Sequence, residues 1–215
     1  FGSVFNRYRV IPTGQYTYME FIAPGILVES VLFISIFYGL SLVWDRDSGN
    51  LSKLLVAPIS RFSIVLGKSM ASSVRSLAQA IILFVFIIII GVHIILNPVF
   101  ILCSFISVIM ISAVFSSFSI LFAGVLKTRE RFMGFGQLLT LPLFFTSNAL
   151  YPISMMPQWL QYFAYINPLS YGIDMLRSFL LTGNLTNVSL DFLILLCTLL
   201  IFTLIGSRVL NRIME

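Results

Sequence analysis

The sequence predicts an all-α fold: a polytopic membrane helix bundle with five spans in this chain and an outer re-entrant helical hairpin. Three observations predict it. Of the 215 residues, 59% are hydrophobic and only 10% charged, against about 25% charged in a soluble domain. The apolar residues gather in five runs, Ile22 to Val43, Ser76 to Ile95, Val99 to Leu126, Phe132 to Leu150 and Leu190 to Ser207, each near the roughly 20 residues a helix needs to cross hydrocarbon. The basic residues, finally, fall almost entirely on one side of those runs. Arg46, Lys53, Arg61, Lys68 and Arg75 follow the first, Lys127, Arg129 and Arg131 the third, Arg208 and Arg212 the fifth, and only Arg7, Arg9 and Arg177 remain of the 13. The positive-inside rule makes that majority cytoplasmic. The N-terminal segment of this chain is then outside and its C-terminus in the cytoplasm, in a multi-pass protein of the plasma or inner membrane. Because the chain opens on Phe1, an earlier span is expected, giving six in the complete protein.

The net charge of +5 and an isoelectric point of about 9.5 do not point to nucleic acid. The positive charge lies in short flanks of spans, where anionic lipid favours it, and no basic face with a nucleic-acid motif accompanies it. The bilayer is the expected partner. Cys103 and Cys197 both fall inside spans and read as small apolar residues. No Pro/Gly/Ser-rich spacer divides residues 1–215, so a single transmembrane domain is expected.

Taken in order, Pro24 and Gly25 open the first span. Glu29 lies about seven residues inside it, where a carboxylate costs on the order of 2.5 kcal/mol or more unless paired or hydrated. It should face the bundle or a cavity, either contacting a cargo group or bonding a neighbouring helix; Gln79 and Asn148 are milder cases. Residues 44–75 form a cytoplasmic connection too long for a tight turn. Within it Leu51, Leu54 and Leu55 share one face of a short helix, Pro58 breaks the run, and Ser60 can cap the next helix. Such a helix either lies in the headgroups or docks into a groove on a cytosolic partner. Asn97 and Pro98 suit a tight outer turn. Ser104 to Ser119, Gly134 and Gly136 suit close helix approach, and Pro142 interrupts the fourth span.

The outer connection, 151–187, is apolar for a loop. Trp159, Tyr162, Phe163 and Ile166 follow helical spacing, and Asn167-Pro168 starts a second short helix on whose surface Asp174 and Arg177 can pair. This reads as a helical hairpin plugging the outer rim or as an aromatic belt.

Soluble-enzyme chemistry finds little support. His93 is the single histidine, so neither a histidine-rich metal site nor a Ser/His/Asp triad can be assembled, and no metal or catalytic residue is expected. Leu66-Gly67-Lys68-Ser69 imitates the end of a P-loop, but Phe62 stands where that motif needs its first Gly. Asn184 and Asn187 each begin an Asn-x-Ser/Thr triplet, a frequent chance pattern. A membrane-embedded enzyme or a secondary transporter remains the alternative, though neither clustered acids nor an internal repeat is evident.

Two stretches carry a family resemblance. Phe21-Ile-Ala-Pro-Gly-Ile-Leu, Leu42-Val-Trp-Asp-Arg-Asp-Ser-Gly-Asn-Leu, Leu54-Leu-Val-Ala-Pro-Ile-Ser-Arg and Leu66-Gly-Lys resemble the first cytoplasmic loop region of ABC type-2 exporter permeases. Asn148-Ala-Leu-Tyr-Pro-Ile-Ser-Met-Met-Pro-Gln-Trp-Leu and Ile166-Asn-Pro-Leu-Ser-Tyr-Gly-Ile-Asp-Met-Leu-Arg resemble the outer signature before the last span. The drug- and antibiotic-resistance branch is the most similar. One departure is Asp47-Ser48-Gly49, where a Glu often precedes the Gly. The resemblance implies a half-transporter that pairs with a second permease copy and with two ATPase subunits, which would hold ATP and Mg; this chain itself would carry no ATPase motif. Leu51, Leu54, Leu55, Pro58 and Arg61 would form the coupling contact. Glu29, Phe33, Asn148, Tyr151, Trp159 and Phe163 would line the path of a hydrophobic or lipid-like cargo on its way out.

Overall fold

In a computed structural model of the chain, residues 16–126 and 128–212 are described, with the side chains of residues 52, 55, 211 and 212 excepted. Among the described residues nine α-helices follow one another, α1 (Tyr18–Tyr38), α2 (Leu40–Asp47), α3 (Asn50–Val56), α4 (Arg61–Ile89), α5 (Pro98–Val125), α6 (Arg129–Phe145), α7 (Gln158–Ile166), α8 (Pro168–Arg177) and α9 (Val188–Arg212), and there is no strand. The polytopic helical bundle is therefore as the sequence predicts. Arg7, Arg9 and Lys127 lie outside the described residues.

Four segments are long and apolar enough to cross a membrane: Tyr18–Asp47, Arg61–Ile89, Pro98–Val125 and Val188–Leu210. The first begins at a capping box in which Thr17 accepts from the Glu20 amide and Glu20 accepts from the Thr17 amide, so Pro24 sits inside α1 rather than at its start. The expected span Phe132 to Leu150 is shorter than its sequence suggests. Helix α6 has 17 residues, about 26 Å at 1.5 Å per residue, against a hydrocarbon core of about 30 Å. It ends three residues after Pro142, its last carbonyls capped by the Thr146 hydroxyl, which donates to Pro142 at 2.8 Å, and by Asn167 Nδ2, which donates to Leu143 at 2.7 Å.

Two further boundaries differ. Helix α4 starts at Arg61, so about half of the stretch expected as a long cytoplasmic loop belongs to α4 itself. The Asn97-Pro98 corner is not a tight turn but the end of the connection 90–97, bonded to residue 180 through the Ile95 amide at 2.8 Å. Asn97 does cap α5, accepting from Val99.

Helix α5 is central, packing on α1, α4 and α9. Its inward face joins Val108, Ile111, Val114 and Phe115 to Leu27, Val28, Val31 and Leu32 of α1, to Leu169, Ile173 and Leu176 of α8 and to Leu195 of α9. Serines let the backbones approach. Ser35 donates to its own Val31 carbonyl at 2.6 Å and lies 2.9 Å from Ser112, Ser76 lies 2.9 Å from Ser112, and Ser69 pairs with Ser117 at 2.7 Å. All five are buried. Gly136 packs on Ile36 and Phe37 as close approach requires, whereas Gly134 faces open space.

The α7–α8 pair forms the hairpin, its two arms meeting at Asn167, which caps α8 through the Leu169 amide at 3.0 Å. Its arms differ. Helix α8 returns into the bundle with Leu169, Ile173 and Leu176 fully buried, while α7 leaves Trp159, Tyr162, Phe163 and Ile166 exposed.

Candidate functional site

At one end of the bundle α2 and α3 form a compact elbow. Gly49 turns the chain with φ +73°, a left-handed conformation that glycine adopts without a Cβ clash. Two ion pairs then pin α2: Asp45 to Lys68 of α4, and Asp47 to Arg129 of α6 at 2.9 Å. Arg46 adds a bond to the Leu126 carbonyl at 3.2 Å. Beneath them Leu40, Leu42, Val43, Ile64, Val65, Ile120, Phe132 and Leu210 make a second apolar cluster.

The five residues expected to form one coupling face are divided by this elbow. Leu51 is 2% exposed and belongs to the inner cluster, so it anchors α3 instead of facing outward. Leu54, Val56 and Ile59 are exposed, Val56 at 84%. Pro58 lies among them on the surface, and the Leu55 side chain is outside the described set. Arg61 opens α4 behind the Ser60 cap, with one buried guanidinium nitrogen that has no hydrogen-bond partner among the described residues. The pattern of Leu51, Leu54 and Leu55 leaves out Val56, which is off that helical face, and Ile59, which lies beyond Pro58; the apolar run Leu54-Leu-Val-Ala-Pro-Ile59 is the signal that includes both. The P-loop imitation is α4 backbone throughout, with Lys68 engaged by Asp45 and Ser69 by Ser117.

A cavity of about 740 Å³ opens between α1, α4 and the end of α6, within the roughly 300–1,000 Å³ usual for small-molecule sites. Ile22, Ile26, Phe86, Ile87, Phe144 and Tyr151 contribute to its walls, and Glu29 is the charged residue among those lining it. The Glu29 carboxylate makes no hydrogen bond or ion pair among the described residues. A second cavity of about 600 Å³ lies between α6 and α7, lined by Trp159 and Phe163 together with Phe135, Leu138 and Pro142. The expected path residues thus separate. Glu29 and Tyr151 share the first cavity and Trp159 and Phe163 the second. Phe33 is half-exposed against Phe37, ring centroids 4.5 Å apart, and Asn148 is buried and lines neither.

Asn148 belongs instead to a polar knot at the opposite end from α3. Its Nδ2 donates to Asp174 at 2.6 Å. Arg177, whose side chain is 12% exposed, lies 3.8 Å from Asp174 and donates to the carbonyls of Asn148 at 2.7 Å and of Ala149 and Phe21 at 3.3 Å, its guanidinium 3.7 Å above the Phe21 ring. Burial lowers Arg177 to about 10, with Asp174 acting against it, so the group stays charged at neutral pH. The i, i+3 pairing follows the sequence, but it joins three segments of the bundle rather than decorating a surface.

The profile of the family described as ABC-2 type transporter matches residues 1–181. A transport permease, ycf38 of Cyanophora paradoxa, is 34% identical over the whole of this chain and 78% of its own length. The chain belongs to the ABC-2 type transporter family. Among other relatives of this ABC-2 permease, the doxorubicin resistance permease DrrC of Mycobacterium tuberculosis is 22% identical over 85% of the chain and 64% of its own length. The multidrug permease YbhR of Escherichia coli is 24% identical over 74% of the chain and 43% of its length. Family and apolar helices together place the permease in a membrane.

Proposed function

We propose that this chain is the transmembrane subunit of an ABC exporter, moving a hydrophobic or lipid-like cargo outward with energy from separate ATPase subunits and working beside a second permease copy. The observation that carries this reading is the elbow. Helix α3 is short, anchored inward by Leu51 and carried on α2, which two ion pairs brace, while Leu54, Val56 and, just beyond the helix, Ile59 are offered outward. An apolar tip on a rigid mount is suited to a socket on a cytosolic partner. A headgroup-bound helix needs no such bracing. Asp45 and Asp47 connect α2 to α4 and α6 separately, so a push on α3 that is passed to α2 reaches both helices that wall the cavities. Relatives named for doxorubicin resistance and multidrug transport agree with an apolar cargo path.

The test is the double substitution of Leu54 and Val56 by Asp, which would force two charges into the socket at a cost of several kcal/mol. Membrane insertion should persist while the ATPase subunits no longer co-purify. A double variant that retains its ATPase and transports at the normal rate would remove α3 as the coupling element.

A further inference from the structure

The cavity between α1, α4 and α6 combines two properties that are seldom compatible. Its walls are aliphatic and aromatic, and Glu29 brings a carboxylate to them with no partner among the described residues. A charge so placed loses hydration and gains nothing from the protein around it, so an occupant that supplies the opposite charge gains more there than in water. The occupant's chemistry is narrowed by what surrounds Glu29. A hard metal ion such as Ca²⁺ requires six to eight oxygen ligands, and the wall here is aliphatic and aromatic apart from Glu29 and the tyrosines Tyr18 and Tyr151. A small hydrated ammonium ion meets the same difficulty. An anionic amphiphile is repelled. A cation whose charge is spread or shielded by hydrocarbon needs no replacement for a hydration shell, and the faces of Phe86, Phe144, Phe145 and Tyr151 can add cation–π attraction.

We propose that this cavity is a binding site for lipophilic organic monocations, with Glu29 as the residue that selects the charge. This rests on reading the cavity as part of a cargo path and names the cargo class. The site accepts bulk through its apolar walls and sign through one carboxylate.

Full-length permease co-purified with its ATPase subunits in detergent can be tested with two probes of equal shape and opposite charge, tetraphenylphosphonium and tetraphenylborate. Comparing variants at a fixed probe cancels differences in micelle partition. Glu29→Gln should weaken phosphonium binding about tenfold or more, as expected when a charge-assisted contact is lost, and should leave borate binding unchanged or tighter. Ile26→Trp, on the cavity wall, should weaken phosphonium binding by filling the space without touching the charge. The proposal fails if Glu29→Gln leaves phosphonium affinity as in the wild type, if it weakens both probes alike, or if Ile26→Trp has no effect. Should Glu29→Gln not fold, Ile26→Trp decides the location, and Glu29→Asp, which keeps the charge but shortens its reach, must retain the phosphonium preference. Co-purification of the ATPase separates the two claims: retained ATPase with charge-blind binding removes the cation assignment and leaves the exporter reading standing.

Discussion

Replacing Arg177 with Met is the perturbation from which the fold has most to lose. Methionine roughly preserves length and apolar volume, so the change isolates the guanidinium. Removing it strips donors from the carbonyls of Phe21, Asn148 and Ala149, leaves Asp174 without its cation, and ends the stacking on the Phe21 ring. The bonds share one group and two of them are long, so they do not sum. Breaking a buried charged group out of its network costs about 3–5 kcal/mol. With about 2–4 °C of melting temperature per kcal/mol for a chain of this size, the loss is about 6–20 °C. Thermal unfolding of the purified full-length permease in detergent measures it. Arg177→Lys should fall in between, since an ammonium keeps the charge but lacks the planar fork that reaches several carbonyls at once. Asp174→Asn should cost less than Arg177→Met, because the arginine keeps its carbonyls. If Arg177→Met melts within about 2 °C of the wild type, the knot contributes less than about 1 kcal/mol and does not hold the three segments together.

Two other outcomes follow from the same geometry. At Gly25 an added Cβ would come within 2.7 Å of the Ala149 carbonyl oxygen, and at Gly172 within 2.8 Å of Cγ1 of the fully buried, β-branched Ile111; Gly25→Ala and Gly172→Ala should therefore each destabilise by about 1–3 kcal/mol in the same melting assay, and an unchanged melting temperature in either would refute the clash. In a background with Cys103 and Cys197 replaced by Ala, a cysteine at exposed Asn184 should react with a membrane-impermeant thiol reagent in intact cells and one at exposed Val56 should not; labelling at Val56 from outside would invert the orientation inferred from the basic residues.

Much of this fold was legible because a bilayer is a demanding solvent. The runs around Leu32, Ile111 and Leu195 could only be helices, and the serines of α5 marked close approach before any coordinate did. What escaped were features set by tertiary contacts. Pro142 announces an interruption in Phe132 to Leu150 but not that the chain leaves α6 for good at Phe145, where Thr146 and, more than twenty residues later, Asn167 take up the last carbonyls. Leu51 and Leu54 are alike as sequence, and only the packing of Leu51 into the second apolar cluster separates the buried one from the exposed one. Asn148 is polar within an apolar stretch, which suggested a cargo contact. Its amide is instead committed to Asp174, a partner invisible without the return of α8.

The serine seam also bears on how such a bundle can move. Ser35, Ser69, Ser73 and Thr203 each donate to a carbonyl one turn back in their own helix, at 2.6, 2.8, 3.1 and 2.7 Å. In these four the hydroxyl proton has a partner within its own helix, and Ser73 also reaches the Ile109 carbonyl across the seam at 3.1 Å; the contacts of Ser35 with Ser112 and of Ser69 with Ser117 then use the hydroxyl oxygen as acceptor. Interlocked leucines resist displacement because each must climb out of its socket. Here the side chains are small, and these four donors keep an intrahelical partner when a cross-helix neighbour shifts by a few tenths of an ångström, whereas Ser119 donates across to the Ile36 carbonyl and ties α5 to α1. Along the rows of Ser35, Ser69, Ser73 and Thr203 the seam between α1, α4, α5 and α9 therefore opposes small sliding less than interlocked leucines would.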